Sequence, residues 1–324
     1  MSLKTPKPAA TLSLDLDNLW IYQRDQGLAE WESYPSFLDL AVPRIVALFE
    51  ELGLDITIFL IGRDVTVPEH QGVFEILART NHELANHSFS HPIDFHRSNR
   101  ETVEAEIDAT EKAIESITGK KTVGFRGPSF RLSPIIIETL IERGYQYDAS
   151  LFPSFIGPLV RRYYLSNSTL SAEQKENARD LFGNFSDGLK PMKPFHWKSE
   201  NRSLAEIPVT NFPGFRLPIH ATYLNFLADV STSAAELYFT SAMRLCRLTK
   251  TPPSFLLHTT DFLGADDPNA PTFLPGFRRS SDRKILLLKN LLEPYKKHFD
   301  VVPLRDYVAE IKTTTPEHPV DNCS

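Results

Sequence analysis

Residues 82–91 read HELANHSFSH and combine a short predicted strand with a pair of histidines. HELAN predicts the strand, and His87 and His91 follow it at HxxxH spacing. If the segment is helical from His87 onward, the i,i+4 spacing puts both imidazoles on one face, where they can bind one metal ion. A surface turn rich in His and Ser would show the same spacing. A metal site therefore requires a third ligand and a base from elsewhere in the chain.

Predicted strands alternate with predicted helices on both sides of this stretch. The first two strands are ATLSLDLD at 10–17 and DITIFLIG at 55–62, and a helix is predicted over 35–53, where Gly53 ends it. Further helices are predicted over 68–80, 98–120, 133–144, 233–248, 281–299 and 305–312, and further strands over 122–126, 145–153, 205–210, 254–261 and 299–304. About seven or eight β/α units favour a single α/β barrel-like domain.

The alternation is lost between about residues 154 and 205. This segment is rich in Asn, Ser, Pro and aromatic residues, and it predicts an irregular insertion or lid, because long loops in compact folds are commonly functional. One barrel domain is expected over residues 1–312. Residues 313–324 are expected to form a flexible tail.

The composition is that of a globular protein that does not bind nucleic acid. Of the 324 residues, 41% are hydrophobic and 23% are charged, and the formal net charge of −6 argues against a nucleic-acid-binding surface. Two cysteines imply no disulfide framework, and the sequence contains no signal-like segment and no stretch of about 20 apolar residues. We therefore expect a cytoplasmic protein without a transmembrane segment. Peripheral membrane contact and oligomerisation both stay open.

Polar residues accumulate at the ends of the predicted strands. Asp15 and Asp17 end the first strand, and their i,i+2 spacing turns both carboxylates to one side, unless they serve only as turn or capping residues. The other strand-end candidates are the His87/His91 pair, Arg126, Asp148 and His258. In (β/α) barrels the functional residues concentrate at the carboxyl ends of the strands, so these side chains are expected to lie together.

Five short motifs occur in an order that resembles the NodB-type polysaccharide deacetylases of carbohydrate esterase family 4. They are SLDLDN at 13–18, HSFSH at 87–91, FRGPSF at 125–130, YDASLFP at 147–153 and LLHTTD at 256–261. The resemblance spans most of the chain. It implies a distorted (β/α)7-8 barrel and a metal-dependent hydrolase that removes N-acetyl groups from sugars.

The resemblance also implies a role for each matching residue. Asp17, His87 and His91 would hold one divalent metal, with zinc expected, and Asp15 would be the general base. Arg126 would hold that base in place, because a guanidinium suits a carboxylate. His258 would be the general acid, and Asp148 would be its acidic partner. The residues Pro128, Ser129 and Phe130 would contact the substrate.

Two features depart from the commoner family pattern. Leu16 separates the two aspartates, a form that is similar to intracellular peptidoglycan deacetylase-like and lipid-sugar deformylase-like relatives. The third motif has Pro-Ser-Phe in place of Pro-Tyr. The expected substrate is an N-acetylated carbohydrate, free or carried on a nucleotide or lipid. The alternatives are a deformylase, a cyclic-amide hydrolase of the same superfamily, or a non-catalytic carbohydrate-binding barrel.

Overall fold

A sheet of mostly parallel strands forms the centre of the protein. The computed structural model describes residues 6–167, 170–172, 175, 183–268, 270–271, 274, 277–311 and 315–323. Within these ranges the strands are β1 (Ala9–Asp15), β2 (Thr57–Leu60), β3 (Glu83–Asn86), β4 (Gly124–Phe125), β5 (Tyr147–Asp148), β6 (Phe195–Ser199), β7 (Arg202–Glu206), β8 (Ser254–His258), β9 (Asp300–Val302) and β10 (Glu317–Pro319).

The strand order gives the sheet the form of a distorted barrel. Strands follow each other as β10-β6-β7-β5-β4-β3-β2-β1-β8, and β9 pairs with β1. Of these pairings only β6 with β7 is antiparallel. The chain that follows β7 reaches back to β8, where Thr210 N donates to Ser254 O at 3.0 Å. The predicted α/β barrel class is therefore confirmed, and the carboxyl ends of β1 to β5 and β8 share one face.

Helices cover the outer side of the sheet, and seven of those in the described ranges were predicted. They are α1 (Leu19–Gln26), α2 (Leu38–Leu52), α3 (Gly62–Thr66), α4 (Gln71–Ala78), α5 (Arg100–Thr118), α6 (Pro134–Arg143), α7 (Gly157–Asn167), α8 (Ala221–Val230), α9 (Thr232–Thr249), α10 (Ser281–His298) and α11 (Leu304–Glu310). The helices α1, α3, α7 and α8 were not predicted. In the ranges that the structure describes, no helix has the length and apolar character needed to cross a bilayer.

Capping residues set the helix boundaries. The helix α6 begins as predicted, since Ser133 Oγ accepts from Ile136 N, and it ends at Gly144, whose φ of 80° is left-handed. The helix α5 differs by one residue. Its N-cap is Asn99, one residue after the predicted start at 98, because Asn99 Oδ1 accepts from Thr102 N at 2.9 Å.

Two segments are more regular than the sequence predicts. The segment 154–205 is not irregular throughout, because it contains α7, β6 and most of β7, and β7 pairs with β5. The expectation of a flexible tail is wrong for residues 315–323. There β10 pairs with β6, and Val320 and Cys323 are buried in a core cluster that includes Phe195 and Trp197. The strand β10 thus covers the edge of β6 that faces away from β7.

Candidate metal centre and active site

Asp17, His87 and His91 meet at the carboxyl face of the barrel. Their ligand atoms all lie within 4.8 Å of one another, and all three residues are buried. His87 Nε2 lies 3.6 Å and His91 Nε2 lies 3.9 Å from the Oδ1 atom of Asp17. Ligands at about 2.1 Å around a tetrahedral zinc would be roughly 3.4 Å apart. The trio is therefore close to the spacing that a single ion requires.

The two histidines converge through a loop and not through a helix. Helical geometry from His87 onward is wrong, because Ser88 has a φ of 63° and His91 a φ of 50°. The loop is fixed by Glu106 of α5, whose Oε2 accepts from the backbone N–H groups of Phe89 and Ser90 at 2.9 and 2.8 Å. Left-handed backbone at two non-glycine residues is uncommon, and here it turns both rings towards Asp17.

Two arginines position the histidines through backbone carbonyl groups. Arg24 of α1 donates to Ser90 O at 2.9 Å and to His91 O at 2.6 Å. His87 Nδ1 lies 2.7 Å from Arg126 O, so the ring presents Nε2 to the site when Nδ1 carries the proton. Such partners of a ligating histidine set the ring orientation and the tautomer.

The polar atoms of the trio fit a metal ion. Within the part of the chain that the structure describes, Asp17 Oδ1 and His91 Nδ1 are buried and have no hydrogen-bond partner. Burial lowers the pKa of His91 to about 3, so its imidazole is neutral, the form that binds metals. Burial opposes ionisation of Asp17, but its contacts with His87 and His91 outweigh that effect and lower its pKa. A carboxylate beside a neutral imidazole is the donor set that a divalent cation of the zinc type needs.

Asp15 is held by a fully buried arginine. Arg126 NH1 donates to Asp15 Oδ1 at 2.5 Å, and its other donors reach Ala149 O at 2.8 Å and Ser13 Oγ at 3.0 Å. The guanidinium carbon also lies 4.2 Å from the ring centre of Phe59. Asp15 Oδ1 is thus engaged, whereas Oδ2 faces the site.

His258 lies opposite Asp15 at the end of β8. Its Nε2 is 3.9 Å from Asp15 Oδ2, which is too long for a hydrogen bond and leaves both atoms turned towards one space. Its Nδ1 lies 3.1 Å from Thr222 Oγ1, and its backbone N–H donates to Asp261 Oδ2 at 2.9 Å. The expected base and acid are therefore neighbours in the structure.

Asp148 is not placed as the sequence predicts. Its carboxylate accepts from Ser150 Oγ at 2.7 Å and from Ser150 N at 2.9 Å, and it interacts with Glu206 instead of His258. Burial raises the pKa of Asp148, and burial together with the nearby Asp148 charge raises that of Glu206, as expected for two carboxyl groups that share a proton. Because Ser150 Oγ also accepts from Gly127 N at 2.7 Å, Asp148 supports the loop that follows β4.

That loop carries the predicted substrate contacts Pro128, Ser129 and Phe130. Ser129 and Phe130 have φ values of 54° and 57°, an unusual conformation for two successive residues. The Phe130 ring lies 6.3 Å from the His258 ring and 5.5 Å from that of Phe152. The loop therefore forms one wall of the space beside His258.

Sequence reasoning missed two residues at the site. Tyr22 of α1 donates from its hydroxyl to Asp17 Oδ2 at 3.4 Å. His220 precedes α8, its ring lies 5.8 Å from the His258 ring, and burial lowers its pKa to about 3. Neither residue stands at a strand end. His220 is the N-cap of α8, where its Nδ1 accepts from Tyr223 N, and no sequence pattern had predicted that helix.

Comparisons with known proteins find a relative of part of the chain and solved structures of the same fold. Residues 31–147 match the family model of polysaccharide deacetylases. Over 129 residues the chain is 30% identical to the peptidoglycan deacetylase of Helicobacter pylori (strain ATCC 700392 / 26695). The aligned region covers 38% of this chain and 41% of that protein. The match therefore spans less than half the length of this relative.

Solved structures show the same fold. A Mycobacterium smegmatis protein assigned as a polysaccharide deacetylase superposes with a TM-score of 0.64 at 18% identity, covering 98% of this chain and 96% of that one. The 4-alpha-glucanotransferase of Thermococcus litoralis gives a TM-score of 0.51 at 11% identity, covering 97% of this chain and 41% of that one. At these identities the two structures show the fold alone.

The chain thus resembles polysaccharide deacetylases over residues 31–147, and it shares the fold of the Mycobacterium smegmatis protein. Its Asp17, His87 and His91 group could hold a metal ion.

Proposed function

We propose that this protein is a metal-dependent amidohydrolase that removes the N-acetyl group from an N-acetylated carbohydrate. The observation that carries the proposal is the convergence of the Asp17, His87 and His91 group with Asp15 and His258 on one face of the barrel. A bound divalent metal, with zinc expected, would lower the pKa of a water molecule and polarise the amide carbonyl.

The residues around this group have complementary roles in the proposed reaction. Asp15 takes a proton from the attacking water at Oδ2, because Oδ1 is bonded to Arg126. His258 gives a proton from Nε2 to the nitrogen of the breaking C–N bond, so the amine leaves neutral and acetate is released. Arg126 orients Asp15 through the hydrogen bond to Oδ1. Phe130 and His220 line the space beside the acid.

Peptidoglycan is the polysaccharide that the Helicobacter pylori relative is named for. We therefore propose N-acetylated amino sugars as the substrate class of this chain, and we take N-acetylglucosamine oligomers as the first probe. A panel of N-acetyl sugars, N-formyl sugars and cyclic imides separates deacetylation from the deformylase and cyclic-amide alternatives. A cytoplasmic location and peripheral membrane contact stay predictions from the sequence.

Metal content and turnover test the proposal together. Elemental analysis of the purified protein should find about one zinc or similar ion per chain. His87→Ala should lose it, whereas His298→Ala, at an exposed histidine, should keep it. A parent protein that binds no metal after incubation with zinc, cobalt or nickel would exclude the mechanism.

The base is tested by Asp15→Asn. This variant should retain its metal and lose acetate release from N-acetylglucosamine oligomers by about 10²- to 10⁴-fold, the range typical of general acid–base groups. Unchanged turnover in metal-loaded Asp15→Asn would remove Asp15 from the role of base.

A further inference from the structure

We infer that Thr222 is the positioning residue of His258, and that it keeps a proton on Nδ1 by linking this atom to Asp261. The inference deepens the proposed function and rests on it, since His258 is the expected acid. It also replaces Asp148, the partner expected from the sequence, with a residue pair on other elements. Thr222 lies in the first turn of α8, and Asp261 lies three residues after His258.

The contacts form a continuous chain of hydrogen bonds. Thr222 Oγ1 is 3.1 Å from His258 Nδ1 and donates to Asp261 Oδ2 at 3.2 Å. Asp261 also accepts from His258 N at 2.9 Å and, at Oδ1, from Asn225 Nδ2 at 3.0 Å. Asp261 is 1% exposed, so three donors converge on one buried carboxylate. The carboxylate is the acceptor in each of these three hydrogen bonds.

The proton on Thr222 decides the tautomer of His258. A hydroxyl group has one proton, and an ionised carboxylate can only accept. If Thr222 gives its proton to Asp261, then Thr222 Oγ1 can only accept from the imidazole, and Nδ1 must be the protonated nitrogen. The nitrogen that gains and loses a proton in the reaction is therefore Nε2 of His258, which lies 3.9 Å from Asp15 Oδ2.

The charges around the ring agree with this arrangement. Asp15 is paired with Arg126, and Asp17 contributes a further negative charge near His258. His220 contacts the ring but stays neutral, because burial lowers its pKa to about 3. Lys284 is attracted by the charge of Asp261, and its Nζ donates to Thr260 O at 3.0 Å.

The test removes the hydroxyl group at constant shape. In the full-length, metal-loaded protein, Thr222→Val should lower kcat on N-acetylglucosamine oligomers about 10- to 100-fold, with KM changed by less than about twofold. The alkaline limb of the pH–rate profile should move to lower pH, because the imidazolium loses its link to a carboxylate. Thr222→Ser should restore both values to within about threefold. Thr102→Val, in the first turn of the exposed N-terminus of α5, is the matched control and should behave as wild type.

A second measurement separates this inference from the proposed function. Nitrogen NMR of the full chain, with His258→Ala used for assignment, reports which ring nitrogen carries the proton without any turnover. We expect a protonated Nδ1 in the wild type and in Thr222→Ser, and a mixture of tautomers in Thr222→Val. A wild-type His258 protonated only at Nε2 would overturn the inference, as would an unchanged kcat and pH profile in Thr222→Val. A protein with the expected tautomers but no hydrolysis would contradict the proposed function alone.

Discussion

Replacing Arg126 by methionine should expose how strongly the barrel depends on one buried ion pair. Arg126 is fully buried, and Asp15 is 1% exposed, so neither charge is compensated by water. Arg126→Met keeps a similar apolar volume against Phe59 but removes the donors to Asp15, Ser13 and Ala149. The variant therefore leaves a carboxylate buried without its partner.

The expected cost follows from that loss. Breaking a buried pair by removing one partner lowers the free energy of unfolding by about 3–5 kcal/mol. Asp15→Asn should cost less, because the amide oxygen can still accept from the guanidinium. The double variant should be clearly more stable than the sum of the single effects predicts, by at least about 2 kcal/mol, since it leaves no orphaned carboxylate.

Urea unfolding of the four proteins at pH 7 measures this coupling. Arg143→Met is the matched control, because Arg143 forms a partly exposed surface pair with Glu111 and should cost less than about 1 kcal/mol. If the Arg126 and Asp15 effects add to within about 0.5 kcal/mol, the two side chains are energetically independent, and the reasoning that ties the base to the arginine is refuted.

Two further predictions concern the metal site and the pH dependence of stability. Arg24→Lys should weaken metal binding about 10-fold in a chelator competition, because a single ammonium cannot serve the carbonyl oxygens of Ser90 and His91 together; unchanged affinity would contradict this role. Burial lowers the pKa of Lys284 from its usual 10.5 to about 8, because the charged ammonium is disfavoured inside the protein. The free energy of unfolding should therefore decrease by roughly 3 kcal/mol as the pH falls from 10.5 to 8. Denaturant unfolding at several pH values between 7 and 10.5 measures this effect. In Lys284→Met the free energy of unfolding should not show this increase with pH, whereas in the partly exposed control Lys289→Met it should. An equal dependence of the unfolding free energy on pH in both variants would contradict the prediction.

The positions of the site residues were largely predictable because parallel strands place their carboxyl ends on one face. Asp15, Asp17, His87 and His258 could be grouped by this rule alone. The path of the chain between them could not. The HSFSH segment has helical spacing, yet contacts from Glu106 stabilise a loop with left-handed backbone at His91.

The sequence could not predict the hydrogen-bond partner of His258 for a similar reason. A strand end tells which face a residue occupies, but not which neighbour it touches. Asp148 meets Glu206 because β7 pairs with β5, and β7 belongs to a segment whose composition predicted irregular structure. Thr222 sits on α8, where no pattern drew attention to it. Long-range packing, and not local propensity, decides these contacts.

Arg126 takes part in the site through two different groups, and this limits how the protein could be altered. Its guanidinium holds Asp15, while its carbonyl oxygen lies 2.7 Å from Nδ1 of His87. A displacement of this one residue would shift the proposed base and one proposed metal ligand at the same time. Anyone who wishes to exchange the metal preference of the barrel, or to retune its base, should expect each change to alter the other. Independent adjustment would have to begin from Asp17 or His91, whose supports lie on other parts of the chain.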